Sequence, residues 1–254
     1  MRRKAATLQV RRVGAYRHLT CTNPGPSPRP GQFYMLATVE RWGGGEAERP
    51  FLPRAFSYLR AEGDRLEFLW EDVGPGTRRL SELRRGEELW LLGPLGNGFE
   101  RDRRPLLVGG GIGIVPLACW QDELGDAPAL LGFRDALHAQ AAGLMRGEVR
   151  LATDDGSAGH RGFVTELLAA GLDGDDDVTV FACGPPPMLE TVRAICTERD
   201  VPAQLALESG MACGYGACFG CVVPTRSGYV RLCVDGPVLD AGELESALVP
   251  GAPH

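Results

Sequence analysis

Apolar residues recur in short runs over residues 1 to about 100. The runs are "ATLQVRRV", "GQFYMLATV", "AFSYLRA", "RLEFLWEDV" and "EELWLLG", with Gly, Pro, Asn and Asp clustered between them. Some alternate apolar with polar positions, as half-buried strands do, and others are continuously apolar. Several short strands at this spacing predict an antiparallel barrel or sandwich. Between the second and third runs, "RWGGGEAERP", with residues 42–49 inside it, reads as a glycine-rich loop without chemistry.

The pattern changes at Arg104. "PLLVGGGIGIVPLACWQDEL" reads as an apolar strand, a glycine turn and a helix. "ALLGFR" and "EVRLATDDG" are further buried strands, and "GFVTELLAAGL" is helical. "DVTVFACGPPPMLETVRAICTERD" is again strand, turn and helix. Strands alternating with helical segments predict a parallel sheet with crossover helices. From about residue 204 a cysteine- and glycine-rich segment takes over.

That segment has the spacing Cys213-x4-Cys218-x2-Cys221-x11-Cys233. C-x4-C-x2-C with a distant fourth cysteine is the plant-type [2Fe–2S] pattern. Four thiolates must converge on the iron core, so three come from one loop and one returns from farther along the chain. Gly210, Gly214, Gly216 and Gly220 are expected to let the backbone wrap closely, with φ > 0, and to aim N–H groups at the sulfurs. Structural zinc favours paired C-x2-C knuckles, of which only Cys218 and Cys221 form one half. Cys21, Cys119 and Cys196 are expected to be ordinary small buried or half-buried residues.

Composition narrows the setting. The chain has 254 residues, 44% hydrophobic and 24% charged, and a formal net charge of −6. It is long enough for two or three domains and needs no disulfides to fold. The acidic balance argues against a nucleic-acid surface. No apolar run reaches the ~18–20 residues of a membrane span. The charged start "MRRKAATLQVRRVGAY" does not read as a secretory signal, so a cytoplasmic setting is expected, with no membrane insertion. There, clustered thiols mean metal or redox chemistry rather than bridges.

Four other segments carry candidate chemistry. Gly110, Gly111 and Gly113 lie in "VGGGIGIVPL", where a strand would turn into a helix and let backbone approach a diphosphate. Cys183 and Gly184 lie in the second strand–helix turn, "FACGPPPML". In the β-rich half, "RAFS" supplies Arg54 for an anion, Phe56 for a ring and Ser57 for a ring nitrogen. "VGPGTRRL" supplies Gly74, Gly76 and Thr77 in a second anion-friendly turn. Each is ambiguous alone: the glycines serve plain turns equally well, and most such Phe residues are core.

Their order is more specific. "RAFS", "GPGT", "GGGIG" and "CGPPPM" follow one another as in the ferredoxin–NADP reductase superfamily, which the chain resembles. "GPLGNGF", "TDDGSAGHRGFVTELL", "ACGPPPML" and "MACGYGACFGCVV…CVDGPV" resemble segments of the dihydroorotate dehydrogenase B electron-transfer subunits. The resemblance spans essentially the whole chain and implies an α+β multidomain fold. An FAD-binding antiparallel β-barrel would occupy residues 1–101, a parallel α/β NAD-binding domain 102–203, and a small [2Fe–2S] domain 204–254. By the same resemblance Arg54, Phe56, Ser57, Gly74, Gly76 and Thr77 contact FAD. Gly110, Gly111 and Gly113 face NAD, and Cys183 and Gly184 lie near its nicotinamide. Cys213, Cys218, Cys221 and Cys233 ligate the cluster.

The implied function is to pass electrons from an FMN-containing dihydroorotate dehydrogenase catalytic subunit through [2Fe–2S] and FAD to NAD⁺, in pyrimidine biosynthesis. The implied assembly is a heterotetramer of two catalytic and two electron-transfer subunits. No side chain is required as a general acid or base, and His18, His138, His160 and His254 receive no role. The residues leave other readings open. One is an FAD/[2Fe–2S] reductase subunit of a hydrogenase, a sulfide dehydrogenase or a ferredoxin:NADP oxidoreductase complex. Another is a non-enzymatic iron–sulfur or zinc module. NAD and NADP are also left undecided, with Arg134 the candidate for a 2′-phosphate.

Overall fold

The computed structural model of the chain describes residues 2–43, 50–125, 127–172 and 177–249. Residues 44–49 of the glycine-rich loop and His254 lie outside the described residues.

Six strands form the first body: β1 (Arg2–Val13), β2 (Tyr16–Thr22), β3 (Phe33–Thr38), β4 (Arg54–Glu62), β5 (Arg65–Glu71) and β6 (Glu88–Leu95). They close into a barrel in the order β1-β2-β5-β4-β3-β6. Every adjacent pair is antiparallel. Closure leaves no open edge for another chain to pair with. Leu19, Tyr34, Leu36, Phe68, Trp70 and Leu89 fill the interior. Burying each such side chain stabilises the fold by about 1.5–3 kcal/mol. Helix α1 (Pro75–Ser81) follows β5 and adds Leu80 to the same interior. Pro75 suits its first turn, where no N–H is needed.

The second body is a sheet in the order β10-β9-β8-β7-β11-β12-β15. Its strands are β7 (Arg104–Gly110), β8 (Ala129–Phe133), β9 (Val149–Thr153), β10 (His160–Arg161), β11 (Val178–Cys183), β12 (Ala203–Ala206) and β15 (Val238–Asp240). All pairs are parallel except β12 with β15. Helices α2 (Ile114–Leu124), α3 (Ala136–Ala139), α4 (Val164–Gly171) and α5 (Pro186–Glu198) lie between the parallel strands. β11 is buried at every position, as a central strand covered on both faces must be.

The cysteine segment contributes the hairpin β13 (Val222–Thr225) with β14 (Gly228–Arg231) as well as β15. Its core is shared with the other two bodies. β12 belongs to the sheet, and β15 returns from beyond the last cysteine to pair with it. The C-terminal tail is tied to α5, where the Glu190 carboxylate accepts from Ala247 N–H at 2.6 Å and Ser246 Oγ at 3.0 Å.

The bodies share their cores. Phe33 and Met35 of the barrel pack with Cys221, Val223, Leu232 and Cys233. Tyr16, Leu59 and Leu69 pack with Ile114, Leu117 and Trp120. Trp120 stacks on Phe99 at 5.9 Å and meets Phe181 edge-on at 5.5 Å. Such ring pairs contribute about 0.5–1.5 kcal/mol each beyond their buried area. Arg60 reaches from β4 to Asp122 at 2.7 Å and to the Leu144 carbonyl at 2.6 Å. No helix among the described residues is long and apolar enough to cross a membrane.

Candidate functional site

Arg54 opens β4, and its side chain crosses to the first turn of α1. A Cβ built on Gly76 would stand 2.7 Å from Arg54 Nε and 3.1 Å from Cζ, so a larger residue there would push the arginine side chain aside. Arg54 Nη1 donates to the Leu52 carbonyl at 2.6 Å. The hydroxyl of Thr77 is used inside the turn. It accepts from the N–H groups of Val73 and Gly74 and donates to the Gly74 carbonyl, each at 3.0 Å. Thr77 thus shapes the turn rather than facing outward.

The space around this corner is open. A Cβ on Gly74 would meet nothing within 4 Å. Phe51 and Val73 beside it are 82% and 73% exposed, which is unusual for large apolar side chains. Phe56 is half-buried against Trp70, with ring centroids 5.6 Å apart. Ser57, also half-buried, faces Phe33 across β3 and β4. A guanidinium and a hydroxyl on β4, with exposed apolar surface from the loops at Phe51 and Val73, fit a ligand that joins a diphosphate to a flat ring system.

The two glycine turns meet at the carboxyl ends of adjacent parallel strands. Cys183 of β11 pairs with Gly109 of β7. A Cβ on Gly113 would lie 2.3 Å from the Cys183 carbonyl oxygen and 2.6 Å from Gly184 N. One on Gly184 would lie 3.0 Å from Gly110 N. Gly111 adopts φ +53°, in the left-handed region. This edge is where open α/β sheets hold ligands. Burial, and then the neighbouring Glu208 carboxylate, push the Cys183 thiol well above its ordinary value. Cys183 is therefore a neutral thiol at physiological pH. Burial also raises the Glu208 carboxyl.

In the cysteine loop Cys213 lies beside Cys218, and Cys233 lies near both Cys221 and Cys213, close enough for these neighbours to shift the ionisation of Cys213 and Cys233. Burial opposes ionisation of Cys213, but the N–H groups of Tyr215, Cys218 and Ala217 and the Cys218 thiol outweigh it and bring Cys213 down to about 6. Burial, then Cys221, push Cys233 up to about 12. Gly216 N–H donates to Cys233 Sγ at 3.1 Å, and Gly220 N–H to Cys218 Sγ at 3.5 Å. Of the four loop glycines, positive φ is found at Gly214 (+78°) and Gly216 (+84°); Phe219 adopts +58° as well. Among the described residues, no three His, Cys, Asp or Glu side chains are gathered tightly enough for a single metal ion. Four thiols gathered in one segment suit a two-iron group, which takes four thiolates.

The cysteine segment matches a known family. The iron–sulfur cluster binding domain of dihydroorotate dehydrogenase B matches residues 208–245. The chain is 38% identical over 253 residues to the dihydroorotate dehydrogenase B (NAD⁺) electron transfer subunit of Caldanaerobacter subterraneus subsp. tengcongensis, covering 95% of this chain and 97% of that protein. The chain belongs to this family. The Clostridium perfringens member is 36% identical over 225 residues, covering 85% of this chain and 86% of its own. Among solved structures, a chain of the NADH-dependent reduced ferredoxin–NADP oxidoreductase superposes with TM-score 0.80 at 25% identity, covering 96% of this chain and 91% of that one. The ferredoxin reductase of carbazole 1,9a-dioxygenase shares the fold, with TM-score 0.61 at 21% identity over 79% of this chain and 62% of that one.

Within this electron-transfer subunit fold, the structure brings the expected residues into three groups. They are the Arg54–Gly76 corner, the touching turns at Gly113 and Cys183, and the gathered thiols. Sequence reasoning passed over Glu208. Its one signal was an acidic residue set between the apolar β12 and the cysteine loop. Arg134, the candidate for a 2′-phosphate, is engaged: its Nη2 contacts both Glu71 carboxylate oxygens, at 3.1 and 3.2 Å. His138 bonds Asp135 at 2.7 Å and lies 3.5 Å from Glu71. His18 sits between Arg11 and Glu67, each at 2.9 Å, and His160 bonds Glu166 at 2.8 Å. These three histidines have structural partners. Cys21, Cys119 and Cys196 are buried, as expected.

Proposed function

We propose that the chain is the electron-transfer subunit of a B-type dihydroorotate dehydrogenase. It takes electrons from the FMN-containing catalytic subunit, which oxidises dihydroorotate, and delivers them to NAD⁺ in pyrimidine biosynthesis. The observation that carries this reading is the gathering of Cys213, Cys218, Cys221 and Cys233 in a segment that matches the family's iron–sulfur domain, within a chain that aligns with a relative nearly end to end. FAD, when bound, exchanges two electrons at once with a pyridine nucleotide and single electrons with an iron–sulfur centre.

The protein's part is to bind and to orient. Arg54 holds the FAD diphosphate by charge-assisted hydrogen bonds, with Gly76 leaving room for its side chain. Gly74 keeps the approach open, and Thr77 fixes the turn. Phe56 supports the ring system, and Ser57 offers its hydroxyl to the flavin N5 edge. Gly110, Gly111 and Gly113 admit the pyridine dinucleotide. Cys183 and Gly184 border its nicotinamide, where a neutral thiol adds no repelling charge. A 2′-phosphate near Arg134 would meet Glu71 and Asp135, which favours NAD over NADP. The three functional divisions are residues 1–101, 102–203 and 204–254, although the sheet continues across the last boundary.

Arg54→Ala should weaken FAD retention. A charge-assisted hydrogen bond contributes about 1.5–3 kcal/mol, so affinity should fall roughly ten- to a hundredfold. Flavin released on gel filtration measures it; full retention would remove Arg54 from the diphosphate site.

The partner is expected on the cysteine-loop face. Tyr215, Phe219 and Tyr229 are 62%, 64% and 80% exposed there, with the Arg231 guanidinium 5.4 Å from the Phe219 ring. Aromatic and arginine side chains commonly anchor interfaces. Tyr229→Ala should weaken association with the FMN subunit by about 2 kcal/mol or more, roughly thirtyfold in Kd, measured by calorimetry. We infer a two-plus-two heterotetramer in the cytoplasm.

The reading is tested by reconstitution. Mixing this chain with an FMN-type dihydroorotate dehydrogenase subunit from the same source should yield dihydroorotate-dependent NAD⁺ reduction that neither chain shows alone. The whole-chain likeness to the ferredoxin–NADP oxidoreductase chain favours a second reading, a flavin subunit of such a complex. That reading predicts no complex with the FMN subunit.

A further inference from the structure

We propose that Met35 is a positioning residue for electron transfer inside the chain. It seats the cysteine loop on the strand pair that carries the flavin residues. The inference rests on the cofactor assignment above.

Met35 lies in β3 and is only 1% exposed. Directly opposite it in β4 is Ala55, and two residues away Phe33 faces Ser57. Opposed residues of an antiparallel pair point to one face, and the face repeats every second residue. Met35 therefore shares its face with Ser57, while Arg54 and Phe56 belong to the other. From the opposite direction, the loop backbone comes down on Met35 at Gly214, the residue after Cys213. A Cβ at Gly214 would lie 2.6 Å from Met35 Cγ and 3.0 Å from Sδ, with Leu95 Cδ1 at 3.2 Å. Met35 also belongs to the same packed core as Cys221 and Cys233.

One side chain thus touches the loop that bears the first thiol and stands beside the strand that bears Ser57. A methionine suits this place because its unbranched thioether fills an irregular gap. Its length sets how closely the loop approaches the barrel. With both groups bound, the step it governs would pass one electron from the reduced cluster to FAD in the working direction, and one electron from reduced FAD to the oxidised cluster when NADH drives it in reverse, with no bond made between them. The rate of such a step falls steeply as the gap widens.

The test uses the complete complex with Met35→Ala, and with Met35→Val as a milder truncation. NADH is mixed in anaerobically. Flavin bleaching is followed by stopped flow, and the reduced cluster by freeze-quenched electron paramagnetic resonance. Iron and FAD contents and the cluster potential are measured in parallel. With both cofactors present at wild-type levels, flavin bleaching should be unchanged and cluster reduction about tenfold slower, since small misplacements of reacting groups are amplified in rate. The cluster potential should stay the same. Gly214→Ala should also be slow, through both its left-handed φ of +78° and its clash with Met35, and adding Met35→Ala should recover only the part due to the clash, because the new methyl enters the space left by Cγ and Sδ. Wild-type cluster reduction in fully loaded Met35→Ala and Met35→Val would overturn the proposal. So would loss of iron from both, which would make Met35 part of cluster retention instead. An unsubstituted chain without iron or flavin would remove the underlying assignment, a separate failure visible before any variant is made.

Discussion

Cys218→Ser should abolish the cluster and with it all electron exchange with the catalytic subunit, while leaving the flavin half of the chain working. The [2Fe–2S] group needs four thiolates, and Cys218 supplies one of them, beside Cys213. Cys218 is exposed, so serine there leaves no cavity and no buried polar group. The fold should therefore survive. Arg54, Gly76 and the Gly113–Cys183 contact are built by other elements and share no partner with Cys218. NADH oxidation with an artificial acceptor should then remain within about twofold of wild type, as expected for independent sites. Dihydroorotate-dependent NAD⁺ reduction should fall to background. Iron analysis and the two assays on one preparation check the prediction. Loss of both activities with FAD still bound would contradict the order of carriers.

Gly113→Ala should damage both stability and nucleotide binding. Gly113 has an ordinary φ of −61°, so backbone strain plays no part. The obstacle is steric. The new methyl would lie 2.3 Å from the Cys183 carbonyl oxygen and 2.5 Å from its carbonyl carbon. Both are backbone atoms of a fully buried strand, with no flexible side chain to give way. Overpacking of this kind costs about 1–3 kcal/mol or more, because the strand ends must separate. In a chain of this size that corresponds to a fall in Tm of roughly 2–12 °C. The KM for NADH should rise as the two turns part. Gly111→Ala is the control: its Cβ would have only the Tyr16 hydroxyl near, at 4.0 Å, so its effect should come from the left-handed φ alone. Thermal unfolding and NADH titration of both variants separate the two causes. Equal effects would mean the contact with Cys183 is not what requires glycine at 113.

Local pattern made much of this legible. Five of the six barrel strands stand out as short apolar runs. β2 does not, because His18 and Thr20 interrupt it and it is recognisable only by its pairing with β1 and β5. "VGPGTRRL" looked like a turn, yet Pro75–Ser81 is helical because Leu80 finds room in the barrel. The strand–glycine–helix units were visible from residue type and order. Their direct contact was not, since Gly113 and Cys183 lie far apart in the chain. The same holds for β15, whose three residues carry no periodic signal and gain a place in the sheet only through β12. At the site, cysteine spacing pointed to four ligands. That Cys233 returns to the side of Cys221 and Cys213, that Glu208 stands by Cys183, and that Glu71 holds Arg134 are tertiary facts with no local trace.

One chain is proposed to carry both a one-electron and a two-electron centre. Anaerobic purification followed by iron, sulfide, flavin and zinc analysis tests this most directly. About two irons, two acid-labile sulfides and one FAD per chain are expected, with an absorption spectrum showing both centres. Zinc in place of iron, with no flavin, would contradict it.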